Sequence, residues 1–159
     1  MRELISEQKP TPIVATTSWR DFYQLTKPTI SLLVVVTAVP TVIMASYGLP
    51  SLSLFVATLL GTWMAASSAA VFNHLVEFDT DELMQRTRNR PLPSKKLSQG
   101  AALGFGAALG VGASVILYVF ASPAAAFISL GANAFYVLFY TMFLKRKTHQ
   151  NIVIGGAAG

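Results

Sequence analysis

Four long runs without a charged side chain, roughly 30–47, 52–76, 101–120 and 124–144, alternate with polar segments along this chain of 159 residues. Each meets or nearly meets the roughly 20 residues that a helix needs to cross about 30 Å of hydrocarbon. Backbone groups in lipid must satisfy one another, so these Ala- and Leu-rich runs are expected as helices. The pattern predicts an all-α integral membrane protein with four complete transmembrane helices. Pro40 is expected to kink the first, and Gly48, Pro50 and Ser51 to close a tight turn into the second.

The two ends read differently. Residues 1–29 are polar, mixed in charge and marked by Pro10, Pro12 and Pro28, so they read as a cytosolic lead with a short surface helix around Trp19 to Leu25. The first apolar run starts too late for a secretory leader and is expected to stay as an anchor. At the other end, 151–159 reads as the start of a fifth helix. Nine residues rise only about 14 Å and cannot cross a bilayer. The expectation is therefore the N-terminal part of a longer protein, with 30–159 belonging to a single membrane domain and 77–100 forming a loop between the second and third spans.

Composition agrees with a bilayer setting, since 12% of residues are charged and mean hydropathy is +0.53, against about a quarter charged in soluble proteins. A net charge of +5 would suit nucleic acid in a soluble domain. Here the charges flank apolar runs instead of lining one face, so no nucleic-acid partner is expected. With no cysteine, thiol catalysis and thiolate metal sites are excluded. All twelve Lys and Arg residues lie before the first span, between the second and third, or after the fourth. By the positive-inside rule the N-terminus and the 77–100 loop face the cytoplasm. The N-terminus lacks the Arg- and Ser-rich, acid-poor character of a transit peptide, which favours a bacterial inner (plasma) membrane over a mitochondrial one.

Candidate chemistry sits where the second span ends. Asn73, Glu77 and Asp81 recur at four-residue steps, each advancing about 40° around a helix, so they line one face. Arg86, Arg88 and Arg90 follow, then Pro91-Leu92-Pro93 and Lys95. Mg²⁺ prefers oxygen ligands and commonly combines one or two carboxylates with water and substrate phosphate. Arginines bind phosphate oxygens by paired, charge-assisted hydrogen bonds. The competing reading is an ordinary charged helix end with local pairs such as Glu82 with Arg86. Asp79 lies about 200° from Glu77, so Asp79 and Glu82 are poorer ligands. A small-residue stripe of Gly61, Ala65 and Ala69 runs into the polar one, and Ala102, Gly106, Gly110 and Ser114 form a second stripe. Both read first as close helix contacts.

This segment closely resembles the first aspartate-rich motif of the UbiA superfamily of intramembrane prenyltransferases, with Glu77 where aspartate is commoner. Three further passages are similar to the heme-farnesylating branch of that superfamily: Gln24 to Pro28, Phe135 to Leu144 with Lys145 and Arg146, and Gln150 to Gly159. His149 departs from the proline of many relatives. The resemblance implies a nine-helix bundle with a second acidic motif in its later half. It also implies Mg²⁺ as cofactor, heme B and farnesyl diphosphate as substrates, and transfer of farnesyl to the 2-vinyl group of heme B. Glu77 and Asp81 would then carry Mg²⁺ and Asn73 would position metal or diphosphate. Arg86 and Arg90 would contact diphosphate, with Arg88, Lys95 and Lys27 in support. Heme-pathway or terminal-oxidase assembly proteins are further partners to expect.

Other residues stay open between two roles. His74 reads as a hydrogen-bonded helix-end histidine or a heme contact. Asn133, Tyr136 and Tyr140 share the fourth helix and read as interhelical packing or as a substrate pocket, where rings shield an allylic cation. Rival functions are prenyl transfer to a quinone precursor and ion-coupled transport by a helical bundle. The 159 residues alone are expected to be inactive.

Overall fold

The computed structural model describes residues 17–138, in which α1 (Trp19–Leu25), α2 (Pro28–Ala45), α3 (Leu52–Val76), α4 (Phe78–Leu83), α5 (Gln99–Phe120) and α6 (Pro123–Ala134) follow one another. No strand occurs among the described residues. Three helices, α2, α3 and α5, are long and apolar enough to cross a membrane. Where the fourth span is expected, the described residues hold the apolar stretch Pro123–Leu138, shorter than a membrane span, whose last turn, 135–138, is π-helical. Its expected continuation to 144 and the start of a fifth helix lie outside the described residues.

Local chemistry explains the boundaries. Ser18 caps α1, and the Asp21 carboxylate accepts the Ser18 N–H at 2.9 Å, which accounts for an aspartate only 7% exposed. Pro28 occupies the first turn of α2, where its missing N–H costs nothing, so that helix starts two residues before the apolar run. Tyr47 and Gly48 take positive φ of 51° and 155° to turn the chain into α3, which Ser51 caps. Ser98 and Ser122 cap α5 and α6 through the N–H of Ala101 and Ala125, each at 3.1 Å.

One expectation about the second span needs correction. The helix does not run unbroken from Asn73 to Asp81, because Glu77 relaxes to ψ of 1° and separates α3 from α4. The hydrogen bonds from Glu77 N to Asn73 O, 3.0 Å, and from Asp81 N to Glu77 O, 2.8 Å, bridge the joint and keep the two helices in sequence. Helix α4 stops at Leu83, so Glu82 and Arg86 lose the shared helical face that a local ion pair requires.

Helices α3 and α5 run antiparallel in close contact. A Cβ on Gly61 would meet the Leu117 side chain at 2.7 Å, one on Gly112 would meet Met64 at 2.6 Å, and one on Gly106 would meet Val71 at 3.0 Å. The Ser68 hydroxyl donates to the Gly106 carbonyl at 2.8 Å across the seam. The contact face on α3 thus steps through Gly61, Met64, Ser68 and Val71. A strict four-residue stripe drifts off a straight seam, and Ala65 instead accepts the Asn133 amide of α6 at 3.2 Å. Gly106→Leu is expected to force the helices apart and cost about 1–3 kcal/mol, read as a lower unfolding midpoint in detergent. An unchanged midpoint would mean that the seam has slack.

At the polar end of this pair a small apolar core forms from Leu25, Val71, Leu92, Leu97 and Ala102, flanked by Phe22, Leu75, Phe78, Phe105 and Leu109. The rings of Phe22 and Phe105 meet edge to face at 5.1 Å. The sequence reading of α1 as a surface helix is therefore half right. Trp19 and Tyr23 are exposed, whereas Leu25 is fully buried.

Candidate active site

Three of the polar residues singled out from the sequence, Asn73, His74 and Asp81, are buried on the elements that meet at that apolar core. Asn73 lies in the last turn of α3 with 2% exposure, and its Oδ1 accepts a hydrogen bond from the Lys27 ammonium. Lys27 reaches it from the α1–α2 junction, where it takes the left-handed conformation (φ 47°, ψ 62°) just before Pro28. That conformation is uncommon for a lysine and disfavoured before proline, so the junction is held by its surroundings.

Asp81 is 4% exposed and faces inward from α4. Its Oδ2 accepts from Arg90 Nη1 at 2.6 Å, while its backbone carbonyl accepts from the buried Thr87 hydroxyl at 2.9 Å. His74 lies beside the same oxygen, with Nδ1 3.9 Å from Asp81 Oδ2, too far for a hydrogen bond. Neither ring nitrogen of this buried histidine has a hydrogen-bond partner among the described residues.

The loop after α4 sets where the cations stand. Its carbonyls fold inward: Pro91 O accepts from Lys96 N and Leu97 N at 3.0 and 3.1 Å, and Arg90 O accepts from the Ser94 hydroxyl at 2.7 Å. Lys95 adopts φ of 58° to complete the turn, and the Thr17 hydroxyl ties the lead to Lys96 O at 2.8 Å. Pro91, Leu92 and Pro93 are buried, so Arg90 is anchored just beyond its own backbone.

Of the residues expected at the site, the structure brings together Lys27, Asn73, His74, Asp81 and Arg90. Glu77 is half-buried at the α3–α4 joint, between Asn73 and Asp81 in the chain. Arg86, Arg88 and Lys95 are exposed and make no ion pair with Asp81 among the described residues. Asp79 and Glu82 are exposed, as their angular position predicts. Asn133 spends its amide on a backbone carbonyl of α3, the interhelical role. Tyr136 is half-buried on the π-helical turn, and Tyr140 lies outside the described residues. Thr87 escaped the sequence reading; a hydroxyl between two arginines after an acidic helix was the available signal.

No three His, Cys, Asp or Glu side chains converge as a metal-holding group among the described residues. The oxygen donors on hand are the Asp81 and Glu77 carboxylates and the Asn73 amide. That set suits a hard cation only if water or substrate phosphate completes the shell. Arg90 and Lys27 already face two of these donors, the Asp81 carboxylate and the Asn73 amide.

Residues 33–159 match the model of the UbiA prenyltransferase family. The chain belongs to this family. Among curated relatives, a protoheme IX farnesyltransferase of Nocardioides sp. is 53% identical over 135 residues, covering 85% of this chain and 43% of the relative. The enzyme of that name from Paenarthrobacter aurescens is 47% identical over 141 residues, 89% of this chain and 44% of its own length. One from Shewanella oneidensis is 45% identical over 142 residues, 89% of this chain and 47% of its own. The chain thus spans less than half the length of these relatives. No solved structure matches it. The family match takes in α3, α4, the arginine loop and α5, and so includes the whole cluster around Asp81 apart from Lys27.

Proposed function

We propose that this chain forms part of a membrane prenyltransferase that joins the farnesyl group of farnesyl diphosphate to the 2-vinyl group of heme B and adds water, giving heme O. The observation that carries the reading is the pairing of buried Asp81 with half-buried Arg90 beside Asn73 and Lys27 at the end of an apolar helix. Similarity to protoheme IX farnesyltransferases supplies the substrates.

The chemistry is demanding at one bond. Breaking the C–O bond of farnesyl diphosphate leaves an allylic cation and a diphosphate that gains negative charge. The vinyl π electrons attack the cation, water adds to the resulting carbocation, and a proton is released. Preorganised positive groups aimed at the leaving diphosphate lower that barrier most. Arg90 and Arg86 serve as its first contacts, with Arg88, Lys95 and Lys27 around them. Glu77 and Asp81, helped by Asn73, hold Mg²⁺, which when bound neutralises the departing charge. With the arginine loop on the cytoplasmic side of a bacterial inner membrane, both Mg²⁺ and diphosphate arrive from the same compartment.

Heme extracted from cells that lack their own heme O synthesis and express the full-length protein tests the reading. Chromatography and mass spectrometry are expected to find heme B increased by one farnesyl group and one hydroxyl group. Prenylated quinone precursor with unmodified heme would replace the proposed acceptor, and ion movement without prenyl transfer would remove the enzyme.

A further inference from the structure

Two donors compete for one oxygen of Asp81, and only one of them holds it. Arg90 Nη1 sits 2.6 Å from Oδ2, whereas His74 Nδ1 waits at 3.9 Å with no other partner among the described residues. A buried imidazole with both nitrogens unmet is rare, because each polar group taken out of water normally finds a hydrogen bond. The exposures differ as well: the Arg90 side chain is 30% exposed, against 6% for Asp81 and 5% for His74. The carboxylate and the imidazole are walled in, while the guanidinium lies on the open side of the pair.

We infer that Asp81 exchanges partners when an anionic diphosphate binds: Arg90 leaves the carboxylate for the phosphate oxygens, and His74 closes onto Oδ2 in its place. This inference rests on the diphosphate reading of the site. Arginine favours planar, two-pronged contact with phosphate and can trade one carboxylate for it without losing charge-assisted bonds. The abandoned carboxylate is too buried to be left alone, and the imidazole N–H beside it supplies the missing donor. Such a bond from behind is also what orients a metal-bound carboxylate. A consequence for binding order follows. While Arg90 neutralises Asp81, a dication would meet a guanidinium at the carboxylate it needs, so the metal would enter with the diphosphate and not before it.

Manganese binding to the full-length protein in nanodiscs, read by electron paramagnetic resonance with and without inorganic pyrophosphate, tests the exchange. The signal counted is the one lost in Asp81→Asn, which separates this site from any other. In the unmodified protein, pyrophosphate is expected to tighten that Mn²⁺ about tenfold or more. Arg90→Gln keeps a hydrogen-bonding amide but no charge; it is expected to bind Mn²⁺ alone about tenfold more tightly and to lose the pyrophosphate effect. His74→Phe is expected to leave binding of Mn²⁺ alone unchanged and to weaken it about tenfold with pyrophosphate, with His74→Asn restoring it. Unfolding curves accompany each variant. If Arg90→Gln fails to fold, Arg90→Lys takes its place and is expected to keep weak binding of Mn²⁺ alone. Equal Mn²⁺ affinity in Arg90→Gln and the unmodified protein, tight binding of Mn²⁺ alone in Arg90→Lys, or no selective effect of His74→Phe would overturn the exchange. Absence of any signal dependent on Asp81 would instead overturn the metal reading beneath it.

Discussion

Asp81→Asn is expected to lower heme O formation by the full-length protein at least about a hundredfold, the order seen when a preorganised electrostatic group is removed from a reaction centre. The substitution keeps size and removes the charge. It does so at a side chain 6% exposed and 2.6 Å from a guanidinium, so water cannot substitute for the lost carboxylate. The Arg90 pair loses its negative half, and the oxygen set for a hard cation loses the more buried of its two carboxylates. Asp79→Asn provides the control, because Asp79 is exposed on the outer side of α4 and is expected to retain near-normal output. Heme extracts quantified by mass spectrometry decide the matter. Unreduced heme O from membrane-inserted Asp81→Asn would end the assignment of Asp81 to the reaction.

Leu92→Ala is expected to have the largest effect on stability and to reach the site through its scaffold. Leu92 is 1% exposed and packs among Leu25, Val71, Leu97 and Ala102. Truncating such a leucine costs about 2–5 kcal/mol, depending on how far the surroundings collapse into the space. Leu92 stands two residues after Arg90, and the turn that begins at Pro91 hangs on this contact. The variant should therefore unfold at lower temperature and show a raised KM for farnesyl diphosphate in the full-length enzyme. Leu83→Ala, at a leucine 86% exposed, should change neither. A Leu92→Ala protein with normal stability would show that the loop is held by its hydrogen bonds alone.

Much of this architecture was legible because a bilayer imposes simple demands. Uncharged runs of the right length marked α2, α3 and α5 within two residues of their ends, and small residues marked the α3–α5 seam. The break at Glu77 was not legible, since Asn73, Glu77 and Asp81 keep helical spacing on either side of a single relaxed ψ angle. The arginines divide for a related reason. Arg86, Arg88 and Arg90 look equivalent in the chain, yet only Arg90 is drawn inward among the described residues, because the buried Pro91 and Leu92 behind it fix the loop. Sequence spacing also places Asn73 and His74 side by side without revealing that they serve different cations and acids: Asn73 meets Lys27 from the chain's beginning, and His74 meets Asp81 from beyond the joint.

The docking of α1 bears on how the protein is made. Thr17 reaches Lys96 across 79 positions of sequence, and Phe22 meets the Phe105 ring of α5 edge to face. A nascent chain therefore delivers α1 to the membrane surface long before its partners leave the ribosome. Lys27 can meet Asn73 as soon as α3 is threaded, but the bed that anchors Arg90 needs Ala102 and Phe105 from the following span. Anchoring of Arg90 is thus timed by membrane insertion of α5, and chains stalled before that step carry the acids with their arginine unanchored.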